Sequence, residues 1–159
     1  MTPQEALDLL GTNTTKAAEM LSYHKIDRPY LGIATPAVDT AVKDWREAMD
    51  IGERLELASG LWDTNVHEGR IAAAKLLTQA RIRPDDAAAW DLICSWVPDF
   101  DVFTIADMVC VAGQKRLVSD PARLDTVEEW IGSENLWARR AAFMMTLPWT
   151  KQNHPKPAD

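Results

Sequence analysis

The sequence predicts an all-α protein, built as a HEAT-like or armadillo-type superhelix of antiparallel helix pairs. The main observation is a motif that occurs twice, since residues 65–77 align with residues 135–147 and share Asn, Arg, Ala and Leu at matching offsets. The separation of 70 positions equals two units of 35, the period of stacked helix pairs. No segment alternates apolar and polar residues over a strand length, and no Asn-Gly or Asp-Gly hairpin signal occurs.

Helix-start signals place the individual helices. Thr2, Pro3 and Glu5 form a capping box with proline in the first turn, and prolines 36, 84 and 121 repeat the proline-at-start pattern. Between these signals, apolar residues recur three and four positions apart. The predicted helices cover residues 3–10, 14–24, 36–49, 51–61, 65–80, 85–96, 101–118, 121–131 and 134–147. Residues 27–36 contain two prolines and a glycine, and we interpret this segment as a linker between helices.

The domain prediction is one repeat domain over residues 1–149, followed by a disordered tail over residues 150–159. The tail carries two prolines and charges without apolar residues to pack. The last predicted helix is apolar for the end of a repeat stack, which normally has a polar outer face. We therefore expect an exposed apolar surface there, from which further repeats are missing or through which a homodimer forms. This expectation names Phe143, Met144, Met145, Leu147 and Trp149.

The composition limits the functional class. The net charge is −7, which argues against general nucleic-acid affinity but leaves a local basic stripe open. Cys94 and Cys110 lie in apolar helical stretches, which favours buried free thiols in a reducing compartment. Neither a signal peptide nor a membrane-length apolar run is visible, so the sequence predicts a cytoplasmic protein without a membrane partner.

Metal and cofactor motifs are absent from the sequence. His67-Glu68 begins like a zinc-binding His-Glu-x-x-His helix, but position 71 is isoleucine. The glycines are scattered singly, so no phosphate-binding loop is indicated. We predict no metal ion and no cofactor.

Two groups of residues are candidates for a site. Trp137 is followed by Arg139 and Arg140 at a helix start, a combination suited to stacking on a sugar or base together with phosphate contact. Asp107 lies in an apolar helix, 33 positions before Arg140 and 37 after Arg70, close to one repeat from each. A carboxylate flanked by two arginines is expected to be ionised. Register alone leaves a structural salt bridge as open as a functional role.

With these motifs the chain resembles the AlkD-like DNA alkylation repair proteins, which are HEAT-like-repeat DNA glycosylases. Residues 30–36 are similar to the family's Tyr-x-Gly-Val/Ile-x-x-Pro, and residues 133–142 to its Ser-x-Asn-x-Trp-x-Arg-Arg-x-Ala. Leu61-Trp62, His67-Glu68-x-Arg70 and the aromatic-x-x-x-Asp of residues 103–107 appear between them in the same order. The resemblance covers residues 20–147.

The resemblance implies excision of N3- and N7-alkylated purines from DNA. Carried over by position, Asp107 matches the catalytic aspartate and Arg140 the arginine that holds the DNA backbone. Phe103 matches a tryptophan that stacks on the sugar of the lesion, so the aromatic face is kept but the indole is lost. A second active-site tryptophan of the family belongs to later repeats, which the sequence does not include.

Two functions follow as alternatives. The first is a DNA glycosylase for alkylated purines, with Asp107 catalytic and Phe103, Arg140, Arg139, Trp137 and Arg70 in contact with DNA. The second is a non-enzymatic HEAT-repeat scaffold that binds DNA or a protein partner. The acidic charge and the missing repeats favour the scaffold, whereas the motifs around Asp107 and Arg140 favour the enzyme.

Overall fold

The structure is a computed structural model that describes residues 1–151, and all regular structure in this range is helical. The α-helices are α1 (Pro3–Leu10), α2 (Thr14–His24), α3 (Thr35–Ala48), α4 (Ile51–Asp63), α5 (His67–Leu76), α6 (Ala87–Trp96), α7 (Phe103–Ser119), α8 (Leu124–Ile131), α9 (Leu136–Met145) and α10 (Leu147–Lys151). Short 3-10 helices cover Val97–Asp99 and Pro121–Arg123. The predicted all-α class is confirmed, and the all-helical structure of the described residues agrees with an α-helical repeat fold.

Local capping explains where several helices begin. The predicted box at α1 is present, since the Thr2 hydroxyl accepts the N–H of Glu5 and the Glu5 carboxylate accepts the N–H of Thr2. Asp50 and Glu53 form the same reciprocal pair at α4. Each box satisfies two N–H groups that have no partner within the helix.

The described part of the chain divides into two compact units, one that ends at Leu77 and one that begins at Thr78. In the first unit, α5 packs against α3 and α4 through buried Val38, Val42, Leu57, Leu61 and Leu76. The linker that precedes α3 is fixed by Glu68, whose fully buried carboxylate accepts the N–H groups of Leu31, Gly32 and Ile33. A side chain at Gly32 would collide with the backbone of Asn13, and φ there is +81°. The linker predicted over residues 27–36 is therefore an ordered turn anchored on α5.

In the second unit, α9 packs against both α7 and α8. Three contacts connect α7 and α9 in the same order along the chain: Phe103 with Trp137, Asp107 with Arg140, and Gln114 with the carbonyl of Met144. The two helices therefore run parallel, as the second helices of consecutive repeats do. Gly113 allows this approach, because a side chain there would overlap Met145.

A buried charge cluster organises the segment before α6. Asp86 accepts two hydrogen bonds from Arg123, at 2.7 and 2.9 Å, and lies 3.2 Å from Nε of Arg116. The fully buried Arg116 also donates to the carbonyls of Gln79 and Ala80. Hydrogen bonding to Arg123 lowers the pKa of the Asp86 carboxyl below its usual value. The cluster thereby ties residues 79–86 to α7.

Some predicted boundaries are displaced. The helix predicted over residues 85–96 begins two residues later, at Ala87, and the Arg83–Pro84 bond before it is cis. The predicted helix 121–131 begins as a 3-10 turn and becomes α-helical at Leu124. The single-domain prediction for residues 1–149 stays a prediction. The disordered tail was predicted over residues 150–159: the first two of these residues belong to α10, and residues 152–159 lie outside the described residues. None of the described helices combines the length and apolar character needed to cross a bilayer.

Candidate active site

The centre of the candidate site is an ion pair between α7 and α9. Nη2 of Arg140 donates to Oδ1 of Asp107 at 2.7 Å. The pair is accessible, with 42% of the Asp107 side chain and 27% of the Arg140 side chain exposed. An exposed pair of this kind contributes little to stability, about 0–1 kcal/mol. Both charges therefore remain able to interact with a ligand.

Two aromatic rings surround the guanidinium. Phe103 lies one turn before Asp107 on α7, and its ring centroid is 4.8 Å from Cζ of Arg140. The Trp137 ring lies 5.8 Å from the same carbon and 5.0 Å from the Phe103 ring. These distances suit cation–π attraction and tilted aromatic packing. Phe103 is 61% exposed, so the site presents an open aromatic face beside a carboxylate and a guanidinium.

The N-terminus of α9 sets the position of Trp137. Oδ1 of Asn135 accepts the N–H of Trp137 at 2.9 Å, and the Ser133 hydroxyl accepts the N–H of Asn135 at 3.1 Å. Asn135 is thus the capping residue of α9. Asn65, at the matching offset of the first copy, has a φ of +58° and lies one residue before Val66, the N-cap of α5. Arg140 follows Trp137 by three residues, so both side chains lie on one face of α9.

The other two predicted arginines have different surroundings. Arg139 donates to the carbonyls of Ser133 at 2.7 Å and Glu134 at 3.2 Å, and so contacts the turn before its own helix. Arg70 belongs to the first unit, where Nε donates to the carbonyl of Trp62 and the guanidinium lies 4.5 Å from a Trp62 ring. Arg70 and Arg140 occupy matching offsets in the repeated motif. Each of these two guanidinium groups lies near a tryptophan ring, but their polar partners differ.

The sequence interpretation overlooked an exposed stripe on α7. Phe103, Asp107, Val111 and Lys115 follow one another at intervals of four residues, and each has an accessible side chain. Leu136 and Phe143 are exposed along α9, at 66% and 67%. The i, i+4 spacing from Asp107 was the signal that could have identified Val111 and Lys115. The exposure of Phe143 agrees with the expected apolar surface on the last predicted helix. The expectation is wrong for Met145, which is fully buried and packs against Gly113.

Thiol and metal chemistry have no support near the ion pair. Burial raises the pKa of Cys110, one turn after Asp107, to about 12, so that its thiol is not activated. Both cysteines are free, as predicted. Within residues 1–151, no three His, Cys, Asp or Glu side chains are grouped as metal ligands. The chemical groups that the site offers are a carboxylate, a guanidinium and an aromatic face.

Comparison with known proteins identifies the family. The sequence profile of the family described as DNA alkylation repair enzyme matches residues 4–158. The chain belongs to this family. The resemblance to AlkD-like proteins drawn from the motifs is thereby confirmed, and a role in DNA alkylation repair follows from it. No curated protein and no solved structure matches the sequence significantly.

Proposed function

We propose that the protein hydrolyses the N-glycosidic bond of N3- or N7-alkylated purines in DNA. The observation that carries the proposal is the accessible Asp107–Arg140 pair beside the exposed ring of Phe103. A nucleotide offers three matching features, namely an anionic phosphate, an apolar sugar face and a sugar carbon that becomes positive during base loss. The phosphate suits Arg140 and the sugar face suits Phe103. The sugar carbon that becomes positive suits Asp107.

The chemistry needs little acid catalysis. An N3- or N7-alkylated purine already carries positive charge, and the electron pair of the bond between C1′ and the base nitrogen neutralises it as the base leaves. The positive charge passes to the sugar as an oxocarbenium ion. Asp107 stabilises that charge electrostatically, a water molecule adds its oxygen to C1′, and its proton is released to solvent. No cofactor takes part in this scheme.

Binding in this proposal depends on the phosphate backbone. Arg140 binds a phosphate while Phe103 stacks on the adjacent deoxyribose, and Arg139 and Arg70 remain proposed backbone contacts. Contacts of this kind carry no base sequence information. DNA affinity is therefore expected to be modest, strongly salt-dependent and insensitive to sequence.

The alternative is a non-enzymatic scaffold that binds DNA or a protein, including a second copy of the chain. The exposed Leu136 and Phe143 and the net charge of −7 favour it. A contiguous exposed apolar patch with a polar rim is typical of a protein contact surface. Asp107 and Arg140 would then form a structural pair between repeats.

Release of 7-methylguanine and 3-methyladenine from methylated DNA distinguishes the two. We expect turnover by the parent and a loss of at least about a hundredfold in Asp107→Asn, because the oxocarbenium loses its counter-charge. Asp125→Asn is the matched control, since it removes an exposed carboxylate on α8 and changes the net charge equally. Equal turnover by parent and Asp107→Asn contradicts a catalytic Asp107. Binding of DNA or a protein by a parent without turnover supports the scaffold.

A further inference from the structure

Trp137 is less exposed than the neighbouring Phe103. It is half-buried, whereas Phe103 is 61% exposed and 27% of the Arg140 side chain is exposed. Its ring already packs against Phe103 at 5.0 Å and lies 5.8 Å from the Arg140 guanidinium carbon. Its backbone is fixed by the Asn135 cap. A ring engaged in this way has less free face for a base or sugar than Phe103 has.

We propose that Trp137 is a positioning residue that acts through Arg140. Its ring supports the Phe103 ring and the guanidinium, so that Arg140 stays beside Asp107 in one orientation before DNA arrives. This assigns Trp137 a different role from the direct stacking on DNA that the sequence suggested. The inference rests on the proposed DNA-binding function of the site, although its first test does not require DNA.

The hydrogen bonding of Arg140 explains what the positioning achieves. The guanidinium uses Nη2 for Asp107, and it has five N–H donors in a planar fork. Donors not engaged by Asp107 are available to a phosphate oxygen without breaking the ion pair. A single guanidinium can then connect the carboxylate to the DNA backbone. Holding it in place beforehand reduces the rotamer freedom that is lost on binding.

The first test observes Arg140 in the free protein by NMR. The Nε–H resonance of Arg140 is assigned from its disappearance in Arg140→Lys. We expect this resonance to move toward the position of a solvent-exposed arginine, with faster hydrogen exchange, in Trp137→Ala and Trp137→Leu. Trp137→Phe keeps an aromatic face and should restore the parent signal. Leu136→Ala removes the exposed neighbouring side chain and should leave the signal unchanged.

The second test is a double-mutant cycle on binding to unmodified duplex DNA. If Trp137 acts through Arg140, Trp137→Ala weakens binding by about fivefold in the parent, in the range of a cation–π contribution. The same substitution should have a clearly smaller effect in Arg140→Gln, where only its contact with Phe103 remains. A direct contact between Trp137 and DNA predicts instead an undiminished loss in the Arg140→Gln background.

The outcomes separate this inference from the proposed function. An unchanged Arg140 resonance in folded Trp137→Leu, with its backbone amide spectrum retained, overturns the positioning role. An undiminished effect in Arg140→Gln also overturns it. A perturbed resonance in a protein that binds no DNA supports the positioning of Arg140 and contradicts the proposed function.

Discussion

Asp107 and Arg140 are 33 positions apart in the sequence and 2.7 Å apart in the structure. The parallel packing of α7 and α9 produces this proximity, because residues about one repeat apart then occupy the same level on neighbouring helices. The same register brings Phe103 to Trp137. The pair is thus a product of repeat geometry, which explains why a spacing argument could identify it without any knowledge of contacts.

The salt dependence of DNA binding tests the role assigned to Arg140. We expect Arg140→Gln to weaken binding to all duplex sequences alike and to reduce the slope of log K against log salt by about 0.9, the value for one lost phosphate contact. Fluorescence anisotropy at several salt concentrations measures both quantities. Arg81→Gln removes an exposed cation before α6 and should leave the slope unchanged. An equal change in both variants would indicate a general charge effect and contradict a specific contact.

Phe103 provides a test of sugar stacking. We expect Phe103→Ala to weaken DNA binding by about tenfold and Phe103→Trp to strengthen it by a few fold, because the indole offers a larger face. Phe143→Ala is the matched control, since Phe143 is equally exposed on α9 and has no ring contact with Arg140 among the described residues. The measurement is equilibrium binding to a duplex that carries one abasic-site analogue. Comparable losses in Phe103→Ala and Phe143→Ala would contradict the assignment.

The sequence predicted the helical class and the pairing of Asp107 with Arg140, because both follow from periodic patterns. It did not predict the partners of Arg139 or Arg70, which depend on where individual carbonyl groups end up. The cluster of Asp86, Arg116 and Arg123 was also missed, because its members share no motif. The sequence alone does not show that the Arg116 side chain is buried, because its partners belong to other segments of the chain.

The anchoring of the linker by Glu68 predicts a large stability effect. In Glu68→Gln one carboxylate oxygen becomes an NH₂ group that faces backbone N–H donors, while Leu31, Gly32 and Ile33 lose a charged acceptor. We expect the free energy of unfolding to fall by about 2–4 kcal/mol. Urea denaturation followed by circular dichroism measures it. Glu129 is exposed, so the free energy of unfolding of Glu129→Gln should stay within about 0.5 kcal/mol of the parent value. A similarly small change in Glu68→Gln would show that the linker does not depend on this carboxylate.

The two thiols should be unreactive in the folded protein. Burial raises the pKa of both Cys94 and Cys110 to about 12, so roughly one thiol in ten thousand is ionised at pH 8. We expect alkylation by iodoacetamide at pH 8 to be at least about a hundredfold slower in the native protein than in guanidinium chloride. Intact-mass spectrometry over time gives both rates. Rapid native labelling of Cys110 would mean that the interface of α7 with its neighbours opens readily.

His67 makes the first unit sensitive to acid. Its ring is buried against His24 and Tyr30, at 4.6 and 5.0 Å, and burial lowers its pKa to about 4, with further lowering by the charges of His24 and Arg28. Between pH 6.5 and 4 the unfolded chain therefore binds a proton that the folded chain excludes, and the free energy of unfolding falls as the pH falls. The full effect is up to about 3 kcal/mol for this shift. Urea denaturation at pH 7.5, 6, 5 and 4 should show this loss, and His67→Phe, which keeps an aromatic ring, should flatten the curve over the same interval. An unchanged pH dependence in His67→Phe would exclude His67 as the group responsible.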